Sequence, residues 1–167
     1  MQDGILILVP VWFIAGQGWA AASDMLRMRI SNGLILYMLM GVTITCAVSQ
    51  PTWAVLAAHV AVGLAILGGG LVLFDRGWMG GGDVKLLAVT GLWLGPAATP
   101  ALLILTALAG GVLTLAMIVA RALGAHGLAG GRIAALSDPM DRVPYGIAIA
   151  AAAIAVVILR PEALVTG

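Results

Sequence analysis

Charge is what this 167-residue chain lacks: 9% of its residues are Asp, Glu, Lys or Arg, against about 25% in an ordinary soluble domain. That scarcity, with 62% hydrophobic residues, excludes a water-soluble enzyme and a disordered tail, which need the opposite balance. Eight Lys and Arg against seven Asp and Glu leave a net charge of +1 and no basic stripe, so no nucleic-acid partner is expected. The single cysteine, Cys46, permits neither an intrachain disulfide nor a thiolate metal cluster and reads as packing inside an apolar run. No fixed-period repeat and no domain boundary divide the chain, which is read as one domain over residues 1–167.

What is there instead is long apolar runs, with a mean hydropathy of +1.14, so the expected surroundings are membrane lipid. A span needs roughly 20 residues at 1.5 Å each. Candidate spans are residues 5–22, 33–48, 53–74, 86–94, 101–120 and 143–159, which makes the expected fold an all-α polytopic bundle of six transmembrane helices. The first run is taken as a span and not a cleaved signal, because residues 1–4 carry no basic group and Asp3 is acidic. The fourth run is short, and charge decides whether it crosses. With six spans, Arg27, Arg29, Arg76, Lys85, Arg121, Arg132 and Arg142 fall on one side and Arg160 on the other, seven against one; a re-entrant fourth run leaves five against three. Both termini are therefore expected on the non-cytoplasmic side. The opposite turns, 49–52 and 95–100, are short and uncharged, while the Gly-rich loop 121–142 is expected to be a flexible connector.

An ionisable group at membrane depth is costly and needs a reason. Asp24 follows the first span directly and Asp83 precedes the fourth, after Gly80, Gly81 and Gly82; both are expected at the cytoplasmic rim. Two carboxyl groups held within a few Å do not both ionise, so one remains a base while the other keeps its proton. That pair suffices to activate water against an amide carbonyl and to protonate the leaving nitrogen, with no metal and no cofactor. The three glycines are read as opening the approach to Asp83 for a substrate backbone and as freeing the chain for a turn or hinge. Set against this, an Asp beside a span is often only a solvated rim residue or the partner of a basic neighbour, here Arg27, Arg29 or Lys85.

These residues resemble a family. Gly80-Gly81-Gly82-Asp83 with Lys85 is similar to the G-x-G-D-x-K motif of bacterial prepilin peptidases, and Asp24 with Arg27, Arg29, Ile30 and Asn32 resembles their first aspartate motif, with Ser31 where the family pattern has Pro. Val143-Pro144-Tyr145-Gly146 is similar to the Pro-Tyr-Gly or Pro-Phe-Gly that opens the family's last span. The resemblance implies an integral aspartic endopeptidase of the bacterial inner membrane. It implies cleavage of the basic leader from type IV prepilins and pseudopilins at the cytoplasmic face, with Asp24 and Asp83 as the catalytic pair. Larger members carry a cytoplasmic domain with paired cysteines after the first span and also N-methylate their product. Only residues 23–32 stand there in this chain, so the likeness is to the compact peptidases of Flp/Tad pilus systems, and methylation is not carried over. A bare G-x-G-D also occurs in presenilin-like intramembrane proteases, which remain the alternative within the class. Outside it, the alternative is a small proton-coupled carrier using the two aspartates as proton sites.

Other residues carry less. Lys85 is read as tuning the pair or holding substrate, or as a span-end cation reaching the headgroups. Arg27 and Arg29 are read as topology signals, Asp75 as an ion pair with Arg76, and Asn32 as a cap of the second helix. His59 in mid-span is expected to bond to another helix. His126 has no His or Cys neighbour with which to bind metal. Trp12, Trp19, Trp53, Trp78 and Trp93 mostly fall near run ends, as an aromatic belt does.

Overall fold

Away from water, backbone N–H and C=O groups must pair within the chain, and a helix does this locally. A computed structural model describes residues 8–122, 144–160 and 164, the side chains of 120–122 excepted, and among them it contains helices and no strand. The helices are α1 (Leu8–Arg27), α2 (Asn32–Ser49), α3 (Trp53–Asp75), α4 (Gly81–Ala122) and α5 (Tyr145–Leu159). Asn32–Ser49, Trp53–Asp75 and Gly81–Val119 are long and apolar enough to cross a membrane. The loop expected over 121–142, with His126 and two of its three arginines, lies outside the described residues apart from the last turn of α4.

The fourth and fifth expected spans are fused in α4. Its 42 residues extend to about 63 Å at helical rise, twice the roughly 30 Å hydrocarbon core. One residue breaks it: Gly95, at φ 64° and ψ −172°, occupies a region open only to glycine. Pro96 follows at once, where its missing N–H costs nothing. The expected turn over 95–100 therefore shrinks to a single residue, and two helical limbs meet there. The limbs double back: Gly110 on the second packs against the ring of Tyr145, and Tyr145 borders the same cavity as Asp83 at the start of the first. His59 of α3 fills the corner. Its Nδ1 lies 2.9 Å from the Leu92 carbonyl and its ring rests against Gly95, which is the interhelical role expected of it.

Local signals set the other ends. Met28, at φ 50°, closes α1 by donating its N–H to the Asp24 carbonyl at 2.8 Å, the left-handed stop that usually takes Gly or Asn. Ser31 and not Asn32 caps α2, its Oγ accepting from the Leu34 N–H at 3.2 Å. Ser31 thus satisfies an orphan amide at the helix start. Thr52 does the same for α3.

The core lies between α1, α2, α5 and the first limb of α4. Helix α5 is buried along most of its length through Gly146, Ala148, Ile149, Ala152, Ala153 and Val156, small enough in the main to let neighbouring backbones approach. By contrast α3 buries only Gly63 and Gly70 and turns its apolar side chains outward, as a lipid-facing helix does. Two tryptophans depart from the expected belt. Trp93 is fully buried, edge-on to Phe13 with centroids 5.4 Å apart, and donates to the Met38 carbonyl at 3.1 Å. Trp12 stacks on Tyr37 at 4.5 Å. Trp53 and Trp78 are exposed as a belt requires.

Candidate active site

Asp24 and Asp83 come together on one cavity of about 860 Å³. Each occupies a helix terminus. Asp83 is the third residue of α4, and its carboxylate accepts from the backbone N–H of Gly80, the reach-back half of a capping box. Asp24, in the last turn of α1, is 5% exposed and accepts the N–H of Gly146 at 2.8 Å through Oδ2; the Ile147 amide also bonds to it. Because Pro144 heads α5 with no side-chain cap of its own, Asp24 supplies that cap from another helix. Both carboxylates thus stand at the positive ends of helices, which favours negative charge, while their mutual repulsion disfavours two charges at once.

The glycines next to Asp83 serve packing, and the expected free turn lies earlier. Gly81 and Gly82 are already helical, and the positive φ in this stretch belongs to Gly77. A Cβ on Gly82 would stand 3.0 Å from the Ile30 Cβ, and one on Gly81 would stand 3.2 Å from the Phe74 ring. The glycines therefore let the α1–α2 connection and the end of α3 close around the start of α4. Gly146 is tighter, for its Cβ would meet Asp24 at 2.8–3.0 Å.

The remaining candidates divide. Arg27, Arg29, Asn32, Gly80 and Tyr145 line the cavity with the two aspartates, whereas Lys85 donates to Asn32 Oδ1 at 3.1 Å on an exposed surface, joining the starts of α4 and α2. Asp75 and Arg76 form no ion pair among the described residues; the Arg76 guanidinium lies 5.8 Å above the Trp78 ring. No group of three or more His, Cys, Asp or Glu gathers among the described residues.

Residues 8–115 match the sequence pattern of the type IV leader peptidase family. The chain belongs to the type IV leader peptidase family. Both aspartates and all three glycines fall inside the matched region, which stops short of the Pro144-Tyr145-Gly146 segment that Asp24 caps. No curated protein and no solved structure gives a match.

Sequence reasoning missed one part of this leader peptidase. Gln17 is fully buried and donates through Nε2 to Thr90 Oγ1 at 2.9 Å, while Thr90 donates to the Leu86 carbonyl at 2.8 Å. The signal was a lone amide inside an apolar run, seven residues before Asp24.

Proposed function

We propose that this leader peptidase is an aspartic endopeptidase that removes the basic leader of type IV prepilins or pseudopilins at the cytoplasmic face of the bacterial inner membrane. The observation that carries the reading is the meeting of Asp24 and Asp83 on one cavity, each at the N-terminal end of a helix, in a chain of this family. The ionised carboxyl takes a proton from a water whose oxygen bonds to the scissile carbonyl carbon, and the protonated one polarises the carbonyl oxygen. Collapse of the tetrahedral intermediate breaks the C–N bond, and a proton from the pair goes to the leaving nitrogen. Tyr145, Arg27 and Arg29 share the cavity and contact the peptide laid across it. Because a helix hides its amide carbonyls, the substrate unwinds at the cut.

The two limbs of α4 are taken as separate crossings. With α1, α2, α3 and α5 they make six, both termini lie outside, and the aspartates lie at the face where the positive charges gather. A substrate with an apolar helix and a basic cytoplasmic leader puts its cut site at that interface.

The test is gel-resolved cleavage of small prepilin-like membrane proteins by the purified enzyme, with mass spectrometry of the new N-terminus. A cut just after the basic leader supports the reading. Cuts deep in the apolar helix support the presenilin-like alternative, and no cut by folded protein across a broad substrate panel supports the proton-coupled carrier.

A further inference from the structure

Helices α1 and α4 are bridged by side chains at matching heights. Phe13 meets Trp93, Gln17 meets Thr90, and Asp24 shares its cavity with Asp83. In an antiparallel pair, facing positions have a constant sum, and these sums are 106, 107 and 107. Gln17 lies seven residues before Asp24, and Thr90 lies seven after Asp83. Seven residues are two helical turns, which return to the same face about 10.5 Å along the axis. The Gln17–Thr90 hydrogen bond is thus one polar rung two turns below the aspartates, with equal lever arms to both.

That rung is poorly explained as a stabiliser. Gln17 Oε1 and its amide are buried among apolar residues, and Oε1 has no hydrogen-bond partner among the described residues. A buried acceptor left unpaired costs more than one satisfied bond returns, and apolar groups of similar shape at both positions would hold the helices together as well or better. In coiled coils a single polar residue retained in such a setting fixes register. Here the register that matters is vertical: a slip of one residue along α1 carries Asp24 about 1.5 Å along the axis and 100° around it.

We propose that the Gln17–Thr90 bond is a register clamp that sets the spacing of the two aspartates, with Gln17 and Thr90 as positioning residues of the leader peptidase. This rests on the reading of Asp24 and Asp83 as the catalytic pair.

The test compares Gln17→Leu, Thr90→Val and Thr90→Ser with the parent enzyme in kcat, KM, pH profile and melting temperature. Gln17→Leu is expected to melt no lower than the parent, whereas Thr90→Val strands the buried Gln17 amide and melts lower. Their kcat falls roughly tenfold or more, since misplacement of about 1 Å costs up to about 100-fold, while KM holds. The two pH limits of cleavage move, because carboxyl spacing sets how strongly the pair is coupled. Thr90→Ser keeps the hydroxyl and restores both. Parent-like kcat and pH limits in Gln17→Leu and Thr90→Val would overturn the clamp, as would a loss in Gln17→Leu matched by a lower melting temperature. An activity-independent arm uses spin labels on Met25→Cys and Lys85→Cys in a Cys46→Ser background. The distance distribution broadens or shifts with Gln17→Leu if the clamp holds and is unchanged if it does not. Cleavage that survives Asp24→Asn and Asp83→Asn overturns the catalytic pair instead, and the distance arm then decides the clamp alone.

Discussion

Gly146 donates its backbone N–H to Asp24 at 2.8 Å across 122 residues of chain. One hydrogen bond thereby fixes the carboxylate on α1 to the first turn of α5, and the absence of a side chain at Gly146 is what allows it: a Cβ there would stand 2.8 Å from Oδ2. The Pro-Tyr-Gly segment is in this sense the holder of the first aspartate.

Gly146→Ala should therefore damage catalysis more than folding. Displacing the carboxylate by about 1 Å is expected to lower kcat by up to roughly 100-fold. Gly111→Ala, at a position with open space around it, should cleave and melt like the parent. Steady-state cleavage and thermal melting of both variants check this; a Gly146→Ala enzyme with parent kcat would contradict it.

Gly95→Ala should act on stability first. Its backbone lies at φ 64°, ψ −172°, a region costing about 1–3 kcal/mol for other residues, and the added methyl would run into the His59 ring. A lower melting temperature is expected, and His59→Ala in the same chain should recover part of the loss by removing the clash.

Acid–base work by two carboxyls sets the pH response. At low pH both hold protons and no base remains; at high pH both are ionised and no acid remains, so cleavage should fall on either side of an optimum. The same division of labour needs no metal, and a chelator such as EDTA should leave the rate unchanged. Cleavage rates across a pH series, with and without chelator, give the answer; a rate restored only by added zinc would exclude this chemistry.

Lys85 should matter little by itself. Its hydrogen bond to Asn32 is exposed, and such contacts contribute about 0–1 kcal/mol, so Lys85→Met is expected to lose no more than a few-fold in kcat/KM.

Much of this was legible in the sequence because bilayer thickness makes apolar run length informative. The runs at 33–48 and 53–74 match α2 and α3 to within a residue at each end, and the two aspartates stood out because charge at membrane depth is rare. The corner at Gly95 was misjudged as a six-residue loop, since a glycine followed by proline reads as loop whether it bends one residue or several. The glycines at 80–82 were read as opening the approach to Asp83 and freeing a turn or hinge; that Gly82 also makes room for Ile30, 52 residues earlier in the chain, shows only once the helices are packed. Gln17 was passed over because its meaning depends on Thr90, which its side chain reaches only after the chain folds, across 73 residues of sequence.

The most direct measurement is leader cleavage of a prepilin-like substrate by Asp24→Asn and Asp83→Asn, each shown by thermal melting to be folded. Each substitution removes one member of the pair while keeping its size, so each alone should reduce cleavage to background. A folded variant of either kind that still cuts at the leader boundary at an appreciable rate would contradict the paired-aspartate mechanism.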